Sequence, residues 1–175
     1  MDDREVVAAQ LDRGPRSVVD VVARCHLDLP VVIAVPPHLD DGTPFPTRFW
    51  LTCPLASRRI GRVEEAGGVK EMDGRIAEDP EFAGVYRTAM DAYAAERDAL
   101  VESGRYPHDP SGGVGGSASG VKCLHAHYAH QAAARDNPIG VIVAPDVEPL
   151  DCAMACVAST ETGIERNPNW QEPRP

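Results

Sequence analysis

The sequence predicts an α+β fold in which a small N-terminal antiparallel or mixed sheet packs against several helices. Segments rich in β-branched residues are concentrated before residue 55, and segments with helical periodicity dominate after it. Strands that precede helices, without regular alternation, are typical of this class. The chain has 175 residues, 43% of them hydrophobic and 25% charged, which is enough for one globular core. We expect a single domain over residues 1–166 and a flexible tail over residues 167–175.

The N-terminal third begins with a predicted helix and continues with three predicted strands. Residues 3–13 place apolar side chains among charges, and Gly14-Pro15 ends that helix. Residues 17–25 and 31–35 are rich in valine, which favours strands. Residues 47–53 alternate in polarity and form the third predicted strand, with Cys53 at its end.

The remainder of the chain is predicted to be mainly helical. A helix over residues 55–66 ends at a glycine pair, and a longer helix over 79–103 begins with the capping pair Asp-Pro. Residues 104–120 are too rich in glycine, proline and serine to pack on their own, so they form a predicted loop. Alanine-rich residues 121–135 predict another helix, and residues 139–144 predict a fourth strand.

Charge and hydropathy exclude several classes of function. The 17 basic and 27 acidic residues give a net charge of −10, which repels phosphate backbones and argues against nucleic-acid binding. No apolar run approaches the ~20 residues that a membrane-spanning helix requires. The first five residues lack the pattern of a signal peptide. Five cysteines, an odd number, indicate reduced thiols rather than a disulfide framework. We therefore expect a cytoplasmic protein.

The segment from Val121 to His130 concentrates one cysteine and three histidines directly after the glycine-rich run. In a helix, residues three and four apart share a face, so Cys123, His127 and His130 form one stripe. In a strand, Cys123, His125 and His127 converge instead. The alanine content favours the helix. A helix that begins near Leu124 would leave Cys123 at its amino end.

Thiolate and imidazole are the side chains that best suit zinc, so this segment predicts a metal site. Its ligands are incomplete without a contribution from elsewhere, and Cys53 is the best outside candidate because it ends a strand. The predicted zinc ligands are Cys53, Cys123, His125 and His127, and an iron–sulfur cluster is less favoured. With three protein ligands and a water, such a site could be that of a metal-assisted hydrolase. Cys25 is a second outside candidate.

The cysteines near the C-terminus leave another arrangement open. Cys152 and Cys156 are four residues apart and could form half of a second site. The zinc-ribbon spacing Cys-x-x-Cys is absent from the sequence, as is the His-Glu-x-x-His motif of zinc proteases. These absences remove the most direct hydrolytic assignments.

A metal-free thiol enzyme is the alternative hypothesis. Cys123 would be the nucleophile and His127 or His125 its base. Lys122, with Gly116 and Gly120 of the preceding loop, would hold an anionic group of the substrate through charge and backbone N–H groups. The loop is not a Walker A motif, because Cys123 follows the lysine where serine or threonine belongs.

Four segments together resemble the bacterial "domain of unknown function 501" family. They are Asp41-Gly-Thr-Pro-Phe-Pro-Thr47, Leu51-Thr-Cys-Pro54, Gly120-Val-Lys-Cys-Leu-His-Ala-His127 and Asn137-Pro-Ile-Gly140, within a resemblance that runs from about Arg16 to Val157. The resemblance implies no established activity, but it makes Cys53, Cys123, His125 and His127 parts of signature motifs. Members are encoded near a septum-formation initiator, which implies a third hypothesis, a non-enzymatic interaction protein linked to cell division. A homo-oligomer is also compatible with the sequence.

Overall fold

The computed structural model describes residues 1–173 and has the predicted α+β architecture. An N-terminal three-stranded sheet packs against helices, and a small hairpin follows near the C-terminus. The elements in chain order are α1 Asp3–Leu11, β1 Asp20–Arg24, β2 Pro30–Ala34, β3 Phe49–Leu51, α2 Pro54–Glu65, α3 Gly68–Glu78, α4 Pro80–Asp98, α5 Leu124–Ala132, α6 Pro138–Val147, β4 Val157–Thr160 and β5 Gly163–Arg166.

The three predicted N-terminal strands form an antiparallel sheet in the order β1-β2-β3. Strand β2 is central and buried at every position, which explains its continuous apolar run. Its residues Val32 and Ile33 pair with Leu51 and Trp50 of β3. Strand β3 ends where Pro54 begins α2, because proline fits the first helical position. The sheet thus leads directly into the helical part.

Helix α4 contributes several large aromatic side chains to the main core. Asp79 caps it by accepting hydrogen bonds from the backbone N–H groups of Glu81 and Phe82. Its buried face includes Phe82, Tyr86 and Tyr93, which join the main core beside Phe49 of β3 and the residues of α5. The helix begins where its capping pair predicts and ends five residues earlier than the predicted position 103.

The strand predicted over residues 139–144 is wrong, because this segment lies within helix α6. Asn137 caps the helix through a hydrogen bond from the Gly140 N–H, and Pro138 occupies the first position. Gly140 lies so close to α5 that an added Cβ would stand 2.5 Å from the His127 carbonyl oxygen. Packing against α5 and a strong N-terminal cap therefore override the β preference of the branched residues.

Two further elements have no counterpart in the sequence prediction. Helix α3 follows Gly67, whose φ of +100° provides the left-handed turn out of α2. Its apolar residues Val69, Met72 and Ile76 recur at three and four residues, a signal that the sequence does contain. The β4–β5 hairpin packs on α1, and Arg166 bonds to Asp12 and to the Gln10 carbonyl.

Residues 167–173 contact the body of the protein. The Arg58 guanidinium lies over the Trp170 ring at 4.8 Å, and Trp170 packs against the core. Glu172 forms ion pairs with Arg62 and Arg59 of α2. The helices of residues 1–173 are all too short or too polar to cross a membrane.

Candidate functional site

Cys123 lies at the amino end of α5, as the sequence allows for a helix that begins at Leu124. The side chain is partly buried, and burial raises the pKa of the thiol. The backbone N–H groups of Ala126 and His125 and the charge of Lys122 act in the opposite direction, while Glu64 adds to the increase. Burial is the largest of these effects, so the folded protein disfavours the thiolate form of Cys123.

A cleft of about 610 Å³ opens in front of Cys123, and we refer to it as the Cys123 cleft. One part of its wall is mainly apolar and comes from α1 and from the segment that enters and forms β3: Leu11, Phe45, Pro46, Phe49, Trp50 and Leu51. The lining also includes the polar groups Ser57, Lys122, Cys123 and His125. An apolar cavity with a few convergent polar groups is the usual form of a small-molecule site.

Lys122 is the exposed cationic side chain of this wall. Its stem passes beside Gly115, where an added Cβ would stand 3.7 Å from Lys122 Cδ. Gly115 has a φ of +65° and belongs to the single 3-10 turn Val114–Gly116. The glycine-rich segment therefore contributes one side of the cleft and supports the lysine next to Cys123.

His125 is held by acceptors on both sides of its ring. Nε2 lies 3.1 Å from the Ser57 carbonyl oxygen, and Nδ1 lies 3.2 Å from Glu64 Oε1. The same Glu64 oxygen accepts a hydrogen bond from the Leu124 N–H at 2.5 Å, so it also caps α5. A doubly protonated, cationic ring satisfies both acceptors at once. In this arrangement neither ring nitrogen is free to act as a base for Cys123.

His127 and His130 lie on the buried side of α5 and do not line the cleft. Asn137 Nδ2 stands 3.1 Å from Nδ1 of both rings, and its two hydrogens satisfy both when each ring carries its proton on Nε2. Burial lowers the pKa of each histidine to about 4. His127 Nε2 has no hydrogen-bond partner within residues 1–173. The hydrogen bonds among Asn137, His127 and His130 join α5 to α6, so these side chains have a structural role.

Cys53 lines a different cavity from Cys123. It caps α2, and burial raises the pKa of its thiol to about 11. The cavity beside it is shared with Cys25, Cys152 and Cys156. Within residues 1–173, no group of three or more cysteine, histidine, aspartate or glutamate side chains is arranged to hold a metal ion.

The four predicted zinc ligands thus occupy three different surroundings. Cys123 and His125 line the Cys123 cleft, His127 lies in the network around Asn137, and Cys53 lies with the other cysteines. A zinc ion shared by all four stays a prediction, and it would require these side chains to move. The metal content of a Cys123→Ser variant tests it, because that prediction requires zinc to be lost.

The glycines predicted to hold an anion have other neighbours. An added Cβ at Gly116 would stand 2.7 Å from Pro46 Cγ, and one at Gly120 would stand 2.6 Å from Asp73 Oδ1. Asp73 Oδ1 also accepts the Val121 N–H at 2.8 Å, the kind of donor that a bound phosphate would use. Lys122 therefore lines the cleft, whereas Gly116 and Gly120 serve close packing.

Sequence reasoning missed several groups that shape this site, above all Glu64, Ser57 and Trp50. Glu64 lies on the predicted helix two residues before its end, and nothing in the local pattern distinguishes it from a solvated surface acid. Phe49 and Trp50, in the third predicted strand, both line the cleft. These roles arise from contacts between segments that are about 60 to 70 residues apart.

A family model described as "Protein of unknown function (DUF501)" matches residues 21–145. Neither a curated protein nor a solved structure matches the chain. The segments 45–47 and 122–126 of the matched range line the Cys123 cleft. The match names no activity and no partner, so a link to cell division stays a prediction.

Proposed function

This chain belongs to the DUF501 family of proteins of unknown function, and we propose that it binds a small anionic molecule with an apolar body in the Cys123 cleft. Cys123 is the reactive group of the proposed site. The observation that carries the proposal is the presence of Lys122, Cys123 and His125 together in the lining of a cleft that is otherwise mainly apolar. The apolar body would pack on Phe45 and Trp50, and the anionic group would face Lys122.

Local charge favours an anion here although the protein as a whole is acidic. Lys122 is cationic, and the amino end of α5 adds a partial positive charge. Glu64 is the nearest acid, but it already bonds to the Leu124 N–H and to His125. The net charge of −10 repels anions at long range. Any preference of the cleft for an anion must therefore come from these nearby groups.

Cys123 would react as a nucleophile after losing its proton. Because His127 lies outside the cleft and both nitrogens of His125 face other acceptors, the proton would pass to the bound molecule or to solvent. A neutral thiol of raised pKa reacts slowly until a ligand or alkaline pH favours the thiolate. This supports a thiol that reacts mainly with a bound partner rather than with solutes in general.

Alkylation with a matched pair of reagents tests the proposal. Iodoacetate and iodoacetamide both form a bond from sulfur to carbon and release iodide, but only iodoacetate is anionic. We expect the ratio of their rates at Cys123, measured by peptide mass mapping at low salt, to exceed the ratio for glutathione. The excess should be about fivefold, since one partly exposed charge pair is worth about 1 kcal/mol. Addition of about 0.5 M salt should remove most of the excess, because at this ionic strength charges more than a few ångströms apart are largely screened from each other.

Two variants identify the source of the effect. Lys122→Gln should bring the ratio close to that of glutathione, whereas Lys70→Gln, which makes the same charge change on α3 at an exposed position, should leave it raised. A ratio at or below that of glutathione in the wild-type protein, unchanged by Lys122→Gln, would contradict the proposal.

A further inference from the structure

Four of the five cysteines line one small cavity. Cys25 follows β1, Cys53 caps α2, and Cys152 and Cys156 lie in the segment between α6 and β4. The volume of the cavity is about 10 Å³, which is about the space of one water-sized sphere. None of these cysteines forms a disulfide. Three parts of the chain that are far apart in sequence thus bring their thiols to the same point.

The surroundings of the sulfurs suit thiolates that are bound to a cation. The backbone N–H groups of Leu55 and Ala56 point toward Cys53, and Gln10 Nε2 lies 3.6 Å from Cys156 Sγ. Donors of this kind stabilise a sulfur that carries negative charge. Apolar neighbours, among them Leu29, Leu55 and Leu150, complete the lining and exclude water.

Gln10 provides an independent observation that points to a ligand. Its side chain is 3% exposed and lines this cavity. Nε2 donates to the Pro30 carbonyl oxygen at 2.9 Å and to Cys156, while the buried Oε1 has no partner within the described chain. A buried carboxamide is costly unless its polar atoms are used. Gln10 therefore places a buried oxygen without a partner in the lining of the cavity that holds the four thiols.

We propose that Cys25, Cys53, Cys152 and Cys156 bind a single zinc ion that joins the N-terminal sheet, α2 and the segment before β4. Four thiolates around one ion are the ligand set of structural zinc sites. The cavity holds about one small sphere, which excludes a four-iron cluster. Binding draws the sulfurs to ~2.3 Å from the ion by side-chain rotation, since no ligand group is yet arranged around a metal within residues 1–173.

The segment before β4 is already tied to its neighbours. Arg59 Nη1 donates to the carbonyl oxygens of Val147 and Pro149 at 2.7 and 2.6 Å, and His26 Nε2 lies 3.0 Å from the Cys152 carbonyl oxygen. These bonds hold the backbone of the segment near α2 and Cys25, so little main-chain movement is needed. Cys152 and Cys156 lie beyond the range 21–145 that matches the family.

Metal analysis of the full-length chain tests this site. The protein is expressed in zinc-supplemented medium and purified with a reductant and without chelators, and zinc is measured by elemental analysis and native mass spectrometry. We expect about one zinc per chain in the wild type, the same in Cys123→Ser, and less than ~0.2 per chain in Cys53→Ser and Cys156→Ser. Replacement of zinc by cobalt(II) in the wild type should give the intense visible absorption of a tetrahedral tetrathiolate site, a readout that does not depend on the folding of any variant.

Several outcomes would overturn the site. One is a zinc content below ~0.2 per chain in the wild type together with no tetrathiolate cobalt spectrum. A second is loss of zinc in Cys123→Ser. The others are a disulfide between any two of the four cysteines in the isolated protein, and iron with acid-labile sulfide in place of zinc. The zinc site and the proposed function of the Cys123 cleft are tested by separate measurements. Lys122→Gln changes the alkylation ratio at Cys123 without changing zinc content, and the cysteine variants of this cavity change zinc content.

Discussion

A single buried side chain, Asn137, joins helices α5 and α6 beside two buried histidines. Its Oδ1 accepts the Gly140 N–H at 2.8 Å, and its Nδ2 stands 3.1 Å from Nδ1 of His127 and of His130. Burial has the largest effect on both rings: it lowers their pKa values, so the folded protein disfavours the charged form. For His127 the hydrogen bond to Asn137 acts in the opposite direction.

We predict that the free energy of unfolding falls between pH 7 and pH 5. Each histidine has a folded pKa of about 4, below its ordinary value of 6.5, so the unfolded chain binds more protons in this window. The stabilisation is therefore complete above about pH 6.5 and is lost as the pH falls toward 4. The loss from pH 7 to 5 should be about 1 to 2 kcal/mol per histidine, measured by urea unfolding.

His130→Gln should reduce this pH dependence, because one of the two titrating groups is removed. His108→Gln is the matched control, since its side chain is exposed in the loop after α4, and it should leave the slope unchanged. Equal stability of the wild type at pH 7 and pH 5 would show that neither ring is held neutral by the fold.

The glycine-rich segment is an ordered connection rather than a free linker. Arg97, 1% exposed, donates from Nη1 to the Gly112 carbonyl oxygen at 2.5 Å, and Tyr86 donates to the Gly120 carbonyl oxygen at 2.7 Å. Val114 is buried in the main core. Helix α4 therefore fixes the path of the segment that leads to Lys122 and Cys123, and the geometry of the cleft depends on it.

We predict that Gly120→Ala destabilises the protein more than Gly104→Ala. Both glycines have positive φ, +66° and +75°, so both substitutions carry a backbone cost of about 1 kcal/mol. At Gly120 the new Cβ also meets Asp73 Oδ1 at 2.6 Å, whereas at Gly104 nothing lies within 4 Å. Gly120→Ala should cost about 2 kcal/mol in total, measured by urea unfolding. Equal costs would mean that the contact with Asp73 does not constrain the segment.

The C-terminal hairpin and residues 167–173 contact the helices α1 and α2. The β4–β5 hairpin packs on α1, and residues 167–173 then reach α2, where Trp170 lies beneath Arg58 and Glu172 pairs with Arg62 and Arg59. Trp170 packs against both the main core and the smaller cluster that contains Val6, Leu29 and Val157. Contacts of the last described residues therefore connect two parts of the interior.

We predict that Trp170→Ala lowers the free energy of unfolding by about 2 kcal/mol, less than for a fully buried tryptophan because the side chain is partly exposed. Cys25, which packs in the same clusters, should then react faster with a neutral alkylating reagent in the metal-free protein. Asn169→Ala, at an exposed neighbouring position, should change neither quantity. Thermal melting at equal protein concentration measures the stability, and peptide mapping measures the alkylation of Cys25. An unchanged melting temperature in Trp170→Ala would show that this contact does not stabilise the fold.

Local chemistry was sufficient to predict the α+β class, the three N-terminal strands and most of the helices. Asp79-Pro80 marks the start of α4 because capping and a fixed proline φ act within a few residues. The sequence leaves the amino-end position of Cys123 open as one alternative, and the helix predicted over residues 121–135 begins only at Leu124. The strand predicted over residues 139–144 is wrong, because the helix there depends on the Asn137 cap and on the approach of Gly140 to α5.

Which cysteines and histidines lie together was decided by the tertiary structure alone. The sequence shows that thiols and imidazoles are present. From their spacing along the chain, Cys123, His125 and His127 are expected to lie in one site. Packing of α5 turns His127 into the core and leaves His125 at the cleft, while Cys53 lies with Cys25, Cys152 and Cys156 around another cavity. The reason is the distance along the chain over which each effect acts. Backbone preferences act over a few residues, whereas the convergence of side chains depends on burial of apolar surface between segments up to about 130 residues apart.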